Sequence, residues 1–128
     1  MRLLLDTHTL LWWLTDDDRL SAAARRAIRA LGNDVFASAV SGWEIATKHR
    51  KGRLPQAEEA VHRLPALLVE ADIRVLQVTL EHALRAGGFP QAHRDPFDRM
   101  LAAQAQLEGL TVVSNDRQLR QFGTALLW

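Results

Sequence analysis

A chain of 128 residues is long enough to bury one hydrophobic core and too short for two, so a single domain over residues 1–128 is expected. Hydrophobic residues at 48% and charged residues at 24% exclude disorder of the chain as a whole. The net charge of +1, from 16 Lys and Arg against 15 Asp and Glu, does not announce a nucleic-acid partner, although acids gathered at one site would leave the remaining surface net basic.

Cysteine is absent, which excludes disulfides, thiolate metal sites and cysteine nucleophiles and fits a reducing cytoplasm. Asp6 and His8 interrupt the opening apolar run too early for a signal peptide. No stretch approaches the roughly 18 apolar residues of a membrane span.

In chain order, Leu3-Leu4-Leu5 predicts a short buried strand that feeds a helix capped by Asp6 or Thr7 and running through Leu10 to Leu14. Ser21 caps a second helix, with Ala24, Ile28 and Leu31 on one face and Gly32-Asn33-Asp34 as its stop. Val35-Phe36-Ala37 is a second strand. Ser38 or Ser41 then caps a helix to Lys51, ended by Gly52. A helical stretch over 56–71 is expected to break near Pro65.

Residues 73–78 alternate as a third strand, and Thr79 caps a helix ending at Gly87-Gly88. Asp95 as N-cap and Pro96 in the first turn open a helix with Phe97, Leu101, Ala105 and Leu107 on its apolar face, ended by Gly109. Thr111-Val112-Val113 is a fourth strand, Ser114-Asn115-Asp116 leads into a short helix, and residues 125–127 form a fifth strand. Short apolar strands alternating with helices predict an α/β fold, a mainly parallel sheet with helices on both faces. The strand order is not legible.

Four acids stand at corresponding places. Asp6 follows the first strand, Glu44 opens the helix after the second, Asp98 lies in the first turn of the Asp95-Pro96 helix, and Asp116 follows the fourth strand. In a parallel α/β sheet, strand C-termini and the starts of helices share one edge, where ligands bind. Each acid alone has a capping explanation; Ser41 and Glu44, for example, have the spacing of a capping box. Capping does not require acids at four helix starts on one edge. Clustered carboxylates repel one another, and a cation compensates them. All-oxygen ligation without cysteine favours Mg²⁺ or Mn²⁺ over Zn²⁺, and such ions suit phosphodiester hydrolysis.

The segments carrying these acids resemble those of PIN domains. Leu3-Leu4-Leu5-Asp6-Thr7-His8 looks like the opening strand of that family, and residues 38–48 around Glu44 resemble its second acidic motif. His93 to Ala105, with Asp95-Pro96-Phe97-Asp98-Arg99, resembles the third motif in the form found in VapC-type toxins, and Val112 to Asp116 resembles the fourth. The resemblance runs from Met1 to about Gly123, and the long third motif in register with the others is its specific part.

The resemblance implies a three-layer α/β/α sandwich and a metal-dependent endoribonuclease acting as the toxin of a toxin–antitoxin pair. An acidic pocket would bind Mg²⁺ or Mn²⁺. The partners implied are RNA, a cognate antitoxin and a second copy of the chain. Carried over by position, Asp6 and Asp98 would ligate metal, Glu44 would position or deprotonate the attacking water or bind metal through water, and Asp116 would complete the pocket or hold a second ion. Thr7 and Asn115 would orient these carboxylates, and Asp95 would serve the helix start.

Lys48 and Arg50, in the basic run ending the Glu44 helix, and Arg94 and Arg99, flanking Asp98, are candidate RNA contacts. His8 and His93 lie near the expected pocket, as hydrogen-bonded structural groups rather than general acids. Adjacent Trp12 and Trp13 cannot point the same way; one is expected in the core and the other exposed as a contact. Two rival folds place acids at one sheet edge. A phospho-acceptor receiver needs an acceptor Asp after a middle strand and a late Lys, where this chain has Gln77-Val78-Thr79 and Ser114-Asn115-Asp116. A haloacid-dehalogenase-like phosphatase needs a second Asp where His8 stands. A PIN-like module that only binds RNA would lack one or more of the four acids.

Overall fold

The computed structural model describes residues 1–128. Five strands, β1 (Arg2–Leu5), β2 (Asp34–Ser38), β3 (Arg74–Leu76), β4 (Thr111–Val113) and β5 (Leu126–Leu127), form one sheet in the order β3-β2-β1-β4-β5. Every pairing is parallel. Six α-helices cover it: α1 (Thr7–Leu14), α2 (Ala22–Arg29), α3 (Ala39–Arg50), α4 (Glu58–Glu70), α5 (Leu80–Gly88) and α6 (Pro96–Glu108). Two 3₁₀ segments, Pro55–Ala57 and Arg117–Phe122, complete the chain.

The central strand shows how three consecutive leucines build a sandwich. Side chains alternate across a strand, so Leu3 and Leu5 enter the cluster with Leu10, Leu11, Ile28, Ile45 and Leu68 from α1 to α4. Leu4 enters the opposite cluster with Leu101, Ala102, Ala105, Leu119 and Phe122. All three are fully buried. Both faces of β1 are therefore dry beyond the exposed Arg2, which explains three apolar residues in a row. The result is the expected three-layer α/β/α sandwich with a parallel sheet. No helix is long and apolar enough to cross a membrane.

The sheet also decides where a ligand can sit. From β1 the chain moves outward through β2 and β3, then returns to the other side of β1 for β4 and β5. The strand order reverses between β1 and β4, and a crevice opens beyond the C-terminal ends of strands at such a point. Asp6 N–H bonds Val113 O at 3.2 Å and the Thr9 hydroxyl bonds the same carbonyl at 2.8 Å, fastening the start of α1 across that crevice.

Several sequence expectations need correction. Ser38, not Ser41, caps α3, its Oγ accepting from Val40 N–H at 3.0 Å. Ser41 and Glu44 form no capping box and lie buried within the helix. Helix α2 ends at Arg29, so Leu31 falls beyond it and is fully exposed. Helix α4 runs unbroken through Pro65. Pro65 lies on the exposed side, where water can satisfy the Val61 carbonyl that lost its partner, while Leu64 and Leu68 face inward. Strand β3 spans three residues, not six. Gly109 ends α6 in the left-handed conformation, φ 67°, as a C-terminal glycine should.

Candidate active site

A cavity of about 390 Å³ opens beyond the C-terminal ends of β1, β2 and β4, and no hydrophobic residue lines it. Its walls carry Asp6, Glu44, Asp98 and Asp116, so the fold brings together all four acids singled out in the sequence, with Asp95 as a fifth. Thr7, His8, Lys48 and Asn115 complete the lining.

Each acid is set by a local rule. Asp6 caps α1, its Oδ1 accepting from Thr9 N–H at 2.7 Å, and is buried. Burial pushes its carboxyl above the usual carboxylate range, against hydrogen bonds from Ser114 and the Thr9 backbone N–H. Asp95 caps α6, accepting from Phe97 N–H at 2.9 Å, which fixes Asp98 in the first turn facing the cavity. Burial raises Asp98 to about 6, with the negative charges of Asp95 and Asp116 adding to the rise and His93 opposing it. Asp116 caps the second 3₁₀ segment through Oδ1, accepting from Gln118 N–H at 2.9 Å. The capping roles and the pocket role thus coexist in the same carboxylates.

Glu44 is buried and held from two sides. Thr7 Oγ1 donates to Oε1 at 2.5 Å and lies 3.0 Å from the Ser41 hydroxyl, while Lys48, one turn on, pairs with Oε2. On the opposite wall, the Gln121 side-chain amide donates to His93 Nδ1 at 3.2 Å, which leaves Nε2 as the donor to Asp98 Oδ2 at 2.9 Å. His93 is thus the hydrogen-bonded structural group expected. His8, expected to be hydrogen-bonded as well, is instead exposed at the rim with no hydrogen bond, its ring 5.8 Å from that of Trp12.

Arg99 is removed from the candidate RNA contacts. Its guanidinium donates to five carbonyls, of Ala86, Gly87, Phe89, Gln91 and His93. Arginine has five N–H donors, so none remains for a phosphate, and the residue clamps the α5–α6 loop. Lys48 points into the pocket, paired with Glu44. Arg50 and Arg94 are exposed and free of ion pairs, Arg50 about 9 Å farther along α3 than Glu44. Asn115 lines the cavity without a hydrogen bond to any acid. Trp12 is in the core and Trp13 packs partly against it; the openly exposed tryptophan is Trp43, at 62%.

Sequence reasoning missed three supports: Ser41, Gln121 and the ion pair of Lys48. The Glu44–Lys48 spacing of four was a readable helical signal; nothing local marks Gln121, 28 residues from His93.

The donor set fits a hard divalent cation, since the lining is oxygen-rich and two carboxylates are pushed toward protonation where no positive charge meets them. The acids ring the cavity rather than converge, and no three acidic or histidine side chains come close enough to hold one ion between them. A cation there would compete with Lys48 for Glu44, whereas His93 holds Asp98 through Oδ2 only.

The PIN domain family model matches residues 3–124. Among curated proteins, Ribonuclease VapC22 of Mycobacterium tuberculosis is 32% identical over 118 residues, covering 91% of this chain and 88% of that one. Among solved structures, VapC20 of Mycobacterium tuberculosis, described as a toxin cleaving the sarcin-ricin loop, superposes with a TM-score of 0.70 at 16% identity, covering 96% of both chains. VapBC2 of Rickettsia felis, bound to a DNA fragment from its promoter, superposes at 0.67 with 13% identity, covering 99% of this chain and 98% of that one. The two structures speak for the fold alone; the family match and the curated relative, spanning nearly the whole sequence, show that this chain belongs to the PIN domain family.

Proposed function

We propose that this chain is a metal-dependent endoribonuclease, using Mg²⁺ or Mn²⁺, that acts as the toxin of a VapBC-type pair, with residues 1–128 forming one PIN domain. The observation that carries the reading is the acid-lined cavity at the strand-order reversal, with no apolar residue in its wall. Asp6 and Asp98 would hold the ion, and Asp116 would complete the pocket or hold a second. When bound, such an ion neutralises charge on the phosphate and acidifies the attacking water.

The protein's own groups do the rest. Thr7, by donating to Oε1, fixes the rotation of the Glu44 carboxylate. Oε2 is then the oxygen that takes the proton of the attacking water once Lys48 turns toward the phosphate. His93 holds Asp98 through Oδ2 and leaves Oδ1 without a hydrogen-bond partner. Asp95 and Asp116 sit beside Asp98 and keep the pocket electronegative.

The relative named Ribonuclease VapC22 supports RNA as substrate, and the solved VapBC assemblies of Rickettsia felis and Haemophilus influenzae support a cognate antitoxin as partner. A homodimer has a candidate face where Leu80 and Leu84, one turn apart on α5, are 77% and 69% exposed. Light scattering on the purified chain reads this directly; a monomer that stays monomeric at high concentration removes the dimer.

The nuclease reading is tested with protein freed of any partner, labelled cellular RNA, and Mg²⁺, Mn²⁺ or EDTA. Cleavage should require metal and fall at least 100-fold in Asp6→Asn, which keeps shape and removes charge. A folded wild type that binds RNA but never cleaves it favours a binding-only PIN module.

A further inference from the structure

A second cavity, of about 500 Å³, lies directly beside the acidic one, and Asn115 forms part of both walls. Ser114 and Asn115 line it on one side, Arg117 and Arg120 on another, and Leu126 and Trp128 close it. Its size falls within the ~300–1,000 Å³ of sites that accept small ligands. None of the roles assigned above uses it.

Three features give this cavity a chemistry opposite to that of its neighbour. Arg117 and Arg120 stand three apart on a 3₁₀ helix, where side chains at that spacing eclipse and project from the same side. Both are exposed, and every ion pair in the molecule involves other residues, so both guanidinium groups are unpaired. Trp128 is 36% exposed and meets Trp12 edge-on, ring centres 5.8 Å apart at 61°, rather than stacked on it. Trp12 in turn adjoins His8 on the rim of the acidic pocket. Two free guanidinium groups, an amide and an open indole are the parts that recognise a nucleotide: arginine takes the phosphate in a two-pronged contact, and an aromatic ring takes the face of an unpaired base.

We propose that this cavity is the subsite for the nucleotide adjoining the scissile phosphodiester, with Arg117 and Arg120 on its phosphate and Trp128 against its base. The proposal rests on the ribonuclease reading for the identity of the strand. The strand runs from the acidic pocket past Asn115 into the basic cavity, so the protein repels phosphate at one point, where a cation compensates, and attracts it at the next. Because an aromatic face accepts only an unstacked base, the site selects single-stranded RNA over duplex.

The test measures anisotropy of a fluorescent single-stranded oligoribonucleotide, and of its duplex, against the Asp6→Asn chain in EDTA over a salt series. Trp128→Ala, Trp128→Phe and the double variant Arg117→Gln/Arg120→Gln are compared in that background. Melting temperatures establish that each is folded. We expect about tenfold weaker single-strand binding for Trp128→Ala, with Trp128→Phe retaining most of the affinity. The double variant should lower the slope of log affinity against log salt by about 0.7, the value for one phosphate neutralised on a single strand.

In the otherwise wild-type chain with metal, the same changes should raise KM with kcat within about twofold. Unchanged binding in folded variants, with wild-type cleavage intact, overturns the subsite and leaves the nuclease reading standing. Weakened binding in the variants of a wild type that never cleaves supports the subsite and overturns the nuclease. Absence of RNA binding altogether overturns both. Variants that bind RNA normally but lose a co-expressed antitoxin assign the face to a protein and overturn the proposal.

Discussion

Thr7 shares its hydroxyl between Glu44 Oε1 at 2.5 Å and the Ser41 hydroxyl at 3.0 Å, and all three groups are buried. A buried carboxylate that loses such a donor keeps its desolvation cost and gains freedom to rotate. Thr7→Val preserves shape and removes the hydroxyl. It should lower metal-dependent cleavage about 10–100-fold, the usual effect of a group that orients a ligand or base. Thr7→Ser should restore most of it, because the donor returns without the methyl group. Equal activity in the Val and Thr proteins would separate Thr7 from the chemistry.

At the scale of elements, the α5–α6 loop has no regular structure of its own, yet it delivers His93 to Asp98. Arg99 holds it by donating to two carbonyls at the end of α5 and three in the loop, with its guanidinium 5.9 Å from the centre of the Phe89 ring. Lysine has three donors on one nitrogen and cannot reproduce that planar fork. Arg99→Lys should therefore lower stability by about 2 kcal/mol, several degrees in Tm. Displacement of His93 should also weaken binding of Mn²⁺, read by calorimetry, by about tenfold or more. Retained metal affinity in a destabilised protein would confine Arg99 to the loop.

For the whole molecule, gathering acids at one edge has a thermodynamic consequence. Asp98 at about 6, and Asp6 also raised, bind protons more readily in the folded chain than in the unfolded one. Their contribution to folding is therefore whole below the unfolded value of 3.8 and is lost progressively as pH rises from there through about 6. For Asp98 the penalty at pH 7.5 is on the order of 1–3 kcal/mol. Asp17 and Glu58 are shifted the other way, so the pocket is isolated by comparison with Asp98→Asn. Metal-free wild type should gain less Tm than Asp98→Asn on going from pH 5 to pH 7.5. Mg²⁺ or Mn²⁺ should stabilise wild type several degrees at pH 7.5 and little at pH 5. Melting curves by differential scanning calorimetry decide this; identical pH profiles for the two proteins would remove the electrostatic account.

The elements and the set of acids are legible along the chain. Short apolar strands, Asp6 and Asp95 as caps, and Gly109 as a stop are local signals, carried by residues within one turn of each other. The four acids were legible because parallel topology sends helix starts to one edge wherever the strands lie. The strand order emerges on folding, because pairing partners such as Leu4 with Phe36 and Val112 lie far apart along the chain. Folding also decides which cations face the acids. Arg99 stands beside Asp98 in sequence but is consumed by a loop, while Lys48 turns inward to Glu44. Arg117, Arg120 and Trp128 come to line one cavity only because β5 pairs with β4. Charge and spacing are written locally, but the neighbours that neutralise or share them are chosen by packing.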